Sequence, residues 1–153
     1  MMNKTVVIGL GNPLLTDEGI GVCLVEELAK LEFPGVVFHD LGTSCARVLH
    51  AIAGMEKAVF IDCAFMGEAP GVIRSFTPDD VKSVKKLGHF SLHEGDLLGT
   101  IELSSRLGEC PKELLIFGIQ PLDLSQGQSL SPLLAGKLEE YIKVISAELN
   151  RTY

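Results

Sequence analysis

The sequence predicts an α/β fold, a three-layer αβα sandwich in which a mostly parallel sheet is covered by helices on both faces. Short apolar, β-branched runs suited to strands buried on both sides recur along the chain. Most are separated by segments with helical period or helix caps, the alternation that builds a parallel sheet. The first run also leads through a glycine-rich loop straight into a helical pattern.

Thr5-Val6-Val7-Ile8 is the first of these runs. Gly9 and Gly11 then permit backbone angles and close approaches that a Cβ would block, and Asn12-Pro13 is a turn dipeptide. From Thr16 or Asp17, either a competent N-cap, Ile20, Leu24, Leu28 and Leu31 recur at helical spacing. A second strand is expected at Val36 to His39, followed by a helix that starts near Thr43 or Ser44 and carries Val48, Leu49 and Ile52. Ala58 to Asp62 reads as the third strand. Ala69-Pro70-Gly71 reads as a tight turn into a fourth strand, Val72 to Phe76, suited to an antiparallel edge. Ser91-Leu92-His93-Glu94 matches a capping box ahead of Leu97, Leu98 and Ile101, which would put His93 in the first turn of a helix. Leu114 to Ile119 is the last strand-like run, and Pro121 to Gln128 a polar loop. The final helix is expected from Ser131-Pro132, with Leu134, Leu138, Ile142, Ile145 and Leu149 as its buried stripe.

At 153 residues, 46% hydrophobic and 22% charged, the chain suits one domain spanning 1–153 with a full core. A net charge of -7 argues against nucleic acid as a partner, because phosphate neutralisation needs clustered Lys and Arg. The small basic cluster from Lys82 to Lys86 reads as a solvated helix face. No apolar run approaches the ~20 residues of a membrane span, and no signal-peptide pattern stands at the N-terminus, so no membrane partner and a cytoplasmic setting are expected. A monomer is the expected state. Cys23, Cys45, Cys63 and Cys110 are dispersed without a Cys-x-x-Cys pair and read as reduced, packed thiols.

The glycine loop is not a phosphate cradle. A dinucleotide fingerprint would place glycine where Leu14 stands, and a Walker A loop needs Gly-Lys-Ser/Thr where Thr16-Asp17-Glu18 stand. Two carboxylates at a helix start would also repel phosphate, while the helix field favours ionised Glu18 as an oxygen ligand for a cation. No Gly-x-Ser-x-Gly elbow or His-Glu-x-x-His helix is present.

In an open parallel sheet, ligands bind beyond the carboxyl ends of the strands. The groups placed there are Asp17 and Glu18, Asp40, Asp62 and His93. Asp62 ends a buried apolar strand, where a carboxylate costs several kcal/mol unless something pairs with it. A metal would serve, and so would N–H groups of neighbouring loops. The start of its helix would keep His93 neutral, as a metal ligand must be, although a packing or surface histidine looks the same. Asp17 reads as a cap or a support for the site. Asp40 is equally a third carboxylate of the site, an ion-pair partner or a helix cap. His39, His50 and His89 read as structural or solvated.

The same residues resemble the nickel-iron hydrogenase maturation endopeptidases, which trim the C-terminal extension from the hydrogenase large-subunit precursor. The resemblance rests on Gly9-x-Gly-Asn-x-Leu-x-x-Asp-Glu-Gly-x-Gly21, the strand ending in Asp62, Ser91-x-His93, Gly118-Ile-x-Pro121 and the Gly42-Thr43 pair after the second strand. It implies a twisted, mostly parallel five-stranded sheet of phosphorylase/hydrolase-like type, with Glu18, Asp62 and His93 as the catalytic, metal-contacting residues. It further implies that the nickel is supplied by the precursor, held by that substrate's thiolates, with other divalent ions able to occupy the site in vitro. Asp17, Asp40, Gly42 and Thr43 stand where supporting or substrate contacts would lie. How the peptide bond is attacked is left open: the nickel polarises the scissile carbonyl or activates a water, or it only positions the peptide while Glu18, Asp62 or Asp40 serves as base. Two other classes fit the same residues: a nickel-binding maturation chaperone that does not cleave, and a small-molecule hydrolase on a similar sheet.

Overall fold

The structure, a computed structural model, describes residues 4–81, 91–92 and 97–151, with the backbone alone at 91 and 92. Its centre is a mixed sheet in the order β2-β1-β3-β6-β4, formed by β1 (Thr5–Leu10), β2 (Val36–Gly42), β3 (Lys57–Phe65), β4 (Ile73–Phe76) and β6 (Glu113–Ile119). β1 pairs in parallel with β2 and β3, and β3 in parallel with β6, whereas β4 lies antiparallel on β6. The fourth strand is thus the antiparallel edge that the Ala69-Pro70-Gly71 turn suggests. No helix among the described residues is long and apolar enough to cross a membrane.

Period-2 alternation in the strands divides the interior into two apolar layers. Val6, Ile8, Ala58, Phe60 and Ile116 face α2 (Cys45–Ile52) and α3 (Leu97–Arg106), packing against Val48, Ile52, Leu97 and Ile101. Val7, Val59, Ile61, Phe117 and Ile119 face α1 (Ile20–Ala29), α4 (Pro132–Ala135) and α5 (Leu138–Leu149), meeting Leu24, Leu28, Leu134, Tyr141 and Ile145. Val6, Val7 and Ile8 are each 0% exposed, which is why all three are apolar, whereas the polar Thr5 stands at the partly exposed start of the strand. Burying each such side chain contributes roughly 1.5–3 kcal/mol.

At the amino end of β3, the buried Lys57 ammonium lies 2.6 Å from Glu148 and 3.7 Å from Glu113, with Arg151 3.0 Å from Glu148. This network ties the end of α5 to the sheet rim opposite the carboxyl ends of β1 and β3. The four cysteines carry no disulfide.

Four local expectations are corrected. Neither Thr16 nor Asp17 caps α1: Thr16–Gly19 is a separate 3-10 turn, α1 starts at Ile20 without a side-chain cap, and both side chains are engaged elsewhere. α1 ends at Ala29, leaving Leu31 46% exposed rather than buried. Ser91 is not a helix cap, because Ser91–Leu92 form β5, antiparallel to Phe65 and Ala64, and α3 begins at Leu97. β3 runs two residues past its last β6 partner, Cys63, and the backbone groups left over there need a strand more than the local pattern needs a cap. The final helix is broken into α4 and α5 at Gly136 and Lys137. Glycine is a poor helix former, and Lys137's aliphatic stem packs over Gly71, within 3.2 Å of where a Cβ there would stand. The expected Ser131 cap with Pro132 behind it is present, its hydroxyl accepting from Leu134 N–H. Ser44 likewise caps α2 by accepting from Arg47 N–H. The Lys82 to Lys86 cluster and His89 lie outside the described residues.

Candidate active site

The site lies at the carboxyl ends of β1 and β3, and glycine sets its geometry. α1 is pressed so closely on the sheet that a Cβ at Gly21 would stand 2.3 Å from the Ile61 carbonyl oxygen and 2.5 Å from that of Leu10. A Cβ at Gly9 would lie 2.4 Å from the Gly21 carbonyl oxygen. The glycines at both ends of the motif therefore face each other, backbone on backbone. The 3-10 turn carrying Glu18 is thereby drawn down to the level of β3.

Strand parity puts Asp62 on the Ala58–Phe60–Ala64 side of β3, and its neighbour across the sheet is Gly118, which has no side chain to cover it. Asp62 is 0% exposed and Glu18 1%. The space over Gly11, whose φ is +113°, is bordered by the Glu18 main chain and the Asp62 carboxylate: a methyl group built there would be 2.1 Å from the Glu18 carbonyl oxygen and 3.6 Å from Asp62 Oδ1. Glu18 Oε1 accepts from Asn12 N–H at 3.1 Å, so the turn dipeptide after Gly11 orients the carboxylate. Their combined field is felt at Cys63, whose thiol is pushed up first by burial and then by Asp62, Glu18 and Asp17. Cys63 belongs to the opposite face of β3, with Val59 and Ile61.

Asp17, also 0% exposed, turns away from Glu18. Its carboxylate accepts from Leu122 N–H (2.9 Å), Asp123 N–H (3.0 Å), Ser131 N–H (2.7 Å) and Ser131 Oγ (2.8 Å). These bonds come from residues more than a hundred positions away, which no local pattern announces. Gln120 does the same for the neighbouring loop, its Oε1 accepting from Met66 N–H at 2.7 Å. Sequence reasoning missed it, although it is the unspecified position of the Gly118-Ile-x-Pro121 stretch.

Asp40 is exposed at the end of edge strand β2, its carboxylate accepting from Gly42 N–H at 3.2 Å in a turn of its own. Gly42 returns a bond to the glycine loop, its carbonyl accepting from Gly11 N–H at 3.0 Å, and Thr43 beside it is exposed. The Gly42-Thr43 pair thus borders the site, while Asp40 shapes its rim. His93 lies outside the described residues. Among the described residues no three His, Cys, Asp or Glu side chains form a group that would hold a metal ion.

Buried carboxylates placed at the carboxyl ends of neighbouring strands suit a hard or borderline cation and a water to be deprotonated. Cys63 competes for neither, because a protonated thiol is a poor ligand and a poor nucleophile.

Comparison with known proteins agrees with this arrangement. A family model described as hydrogenase maturation protease matches residues 22–148, starting just past the glycine motif. The hydrogenase expression/formation protein HupD of Rhodobacter capsulatus is 31% identical over 149 residues, covering 95% of this chain and 71% of that protein. The hydrogenase 2 maturation protease of Escherichia coli is 29% identical over 154 residues, 97% of this chain and 92% of the relative. The structure of the hydrogenase maturating endopeptidase HybD from E. coli superposes with a TM-score of 0.79 at 27% identity, over 95% of this chain and 91% of that one. With most of its length matched by the family model, and the glycine motif included in the longer pairwise matches, the chain belongs to the hydrogenase maturation protease family.

Proposed function

We propose that this maturation peptidase removes the C-terminal extension of a nickel-iron hydrogenase large-subunit precursor, and does so only after nickel insertion. Glu18, Asp62 and His93 take hold of the nickel that the precursor's cysteine thiolates present. The observation that carries the reading is the burial of two carboxylates, Glu18 in the turn after β1 and Asp62 near the carboxyl end of β3, at the end of the sheet where α/β proteins bind ligands.

Two carboxylates and an imidazole suit a borderline divalent ion and leave coordination positions to the substrate's thiolates. Nickel is here part of the substrate. An enzyme whose site is completed by its substrate's metal does not commit to an unloaded precursor, and cleavage becomes a checkpoint on metal insertion. The peptide carbonyl and an attacking water are brought beside Glu18 and Asp62; a carboxylate oxygen not engaged with nickel takes the water's proton as the C–O bond forms and passes it to the departing amine as the C–N bond breaks. Asp40, exposed and tied to Gly42, is the least suited of the acidic groups to that step.

Intact mass spectrometry of a cognate precursor, with and without nickel, tests this directly. Loss of a C-terminal peptide from the loaded precursor alone, abolished by Glu18→Ala, is the expected result. A loaded precursor that stays full length yet co-purifies with the protein would instead establish a chaperone.

A further inference from the structure

The loop from Pro121 to Ser131, which leaves β6 just past Asp62's neighbour Gly118, is fastened to the turn that bears Glu18. Thr16 N–H donates to the Gly127 carbonyl at 3.0 Å, Gly127 N–H to the Leu14 carbonyl at 2.9 Å, and Asp17 N–H to the Asp123 carbonyl at 3.0 Å. Thr16 Oγ1 donates to the Ser125 carbonyl. The Asp17 carboxylate adds four bonds from the loop, one to Oδ1 and three to Oδ2. Thr16 is meanwhile held at φ +51°, a left-handed conformation that a β-branched residue adopts only when its surroundings enforce it. The outward side of the loop is open, with Leu122 55% exposed, and Leu14, whose carbonyl is bonded to Gly127, is 56% exposed.

We propose that Asp17 is a positioning residue: by locking this loop to the Thr16–Gly19 turn, it presents Glu18 to the metal and the loop's exposed face to the precursor as one unit. The proposal rests on the nickel-gated reading of the site. Asp17 turns its carboxylate to the loop rather than to the metal position, with Oδ2 accepting three bonds there and Oδ1 one. Its effect passes through the orientation of Glu18, much as groups behind a metal ligand set that ligand's geometry.

A purely structural anchor would lower stability alone, and Tyr141→Phe supplies that comparison. It deletes another buried bond, from the Tyr141 hydroxyl to the Gly71 carbonyl, without touching the Glu18 turn. The variants Asp17→Ala, Asp17→Asn, Thr16→Val and Tyr141→Phe are compared for melting temperature, for binding of Ni2+ alone by calorimetry, and for kcat and KM on nickel-loaded precursor. All measurements are made well below each variant's melting temperature. The expected result is a loss of about ten-fold or more in Ni2+ affinity and in kcat/KM for Asp17→Ala, the range typical of supporting groups at metal sites. Asp17→Asn and Thr16→Val should show smaller losses in the same two readouts, and Tyr141→Phe a lower melting temperature with neither. If Asp17→Ala does not fold, Thr16→Val and Asp17→Asn decide. Wild-type affinity and kcat/KM in the Asp17 and Thr16 variants, with only stability reduced, overturn the role of Asp17. A wild-type protein that neither binds Ni2+ nor cleaves the loaded precursor overturns the reading of the site itself.

Discussion

Replacing Gly21 by alanine tests whether the contact between α1 and the sheet is as tight as the site requires. The added methyl would stand 2.3 Å from the Ile61 carbonyl oxygen, 2.5 Å from that of Leu10 and 3.0 Å from the Leu10 nitrogen. All three are backbone atoms in paired strands, so no side chain can swing aside. The helix must retreat by about 1 Å, loosening the packing of Ile20, Leu24, Val25 and Leu28 against β1 and β3. Overpacking of this kind costs about 3 kcal/mol, whereas alanine's better helix propensity returns about 1 kcal/mol. A net loss of about 2 kcal/mol, a sizeable fraction of a typical domain's stability, is expected. It should appear as a fall of about 1 M in the urea midpoint by circular dichroism. Glu18 is three residues upstream, in the 3-10 turn that leads into α1, so precursor cleavage should fall by more than the folded fraction does. A Gly21→Ala protein as stable as the wild type, or stabilised by alanine's helix preference, would refute the close-contact argument.

Lys57→Met should lower stability by about 1–2 kcal/mol, since Glu148 loses its buried partner and keeps only the half-exposed Arg151; urea titration measures it, and Glu148→Gln on the same background should recover part of the loss. Tyr141, raised from 10.0 to about 12 first by burial and then by Glu140 and Asp17, should make folding sensitive to alkali. Its neutral hydroxyl is favoured in the fold, so the stabilisation is complete below pH 10 and declines between pH 10 and 12; a loss on the order of 2 kcal/mol over that window is expected, absent in Tyr141→Phe. Cys63 should resist iodoacetamide at pH 8 in the native protein while half-buried Cys45 reacts, as peptide mass mapping would show.

Much of the frame is legible in the sequence because the physical demand at each position admits few residues. Strands buried on both faces require unbroken runs such as Val6-Val7-Ile8, and backbone contacts as close as Gly9 with Gly21 admit only glycine. Glu18 and Asp62 stand out for the opposite reason, as carboxylates set where apolar residues are the norm. What the sequence hides is decided at long range. Asp17 looks like a cap to its own helix, yet its carboxylate is committed to Ser131 and its neighbours across the fold. Ser91 matches a capping box, but the free end of β3 draws it into a strand. The break at Gly136 falls beside Lys137, which lies across Gly71, and no helical periodicity reveals it. His93 falls outside the described residues, so its place beside the two carboxylates rests on the sequence motif.

The central claim is that Glu18 and Asp62 act as one site on a nickel-loaded precursor. A double-mutant cycle on kcat/KM for cleavage of that precursor, using Glu18→Gln, Asp62→Asn and the double variant, tests it most directly. Groups that work as a unit are non-additive. The account predicts that the double variant is no slower than the worse single variant, and that unloaded precursor is untouched by all four proteins. Losses that multiply, or equal cleavage of loaded and unloaded precursor by the wild type, would contradict it.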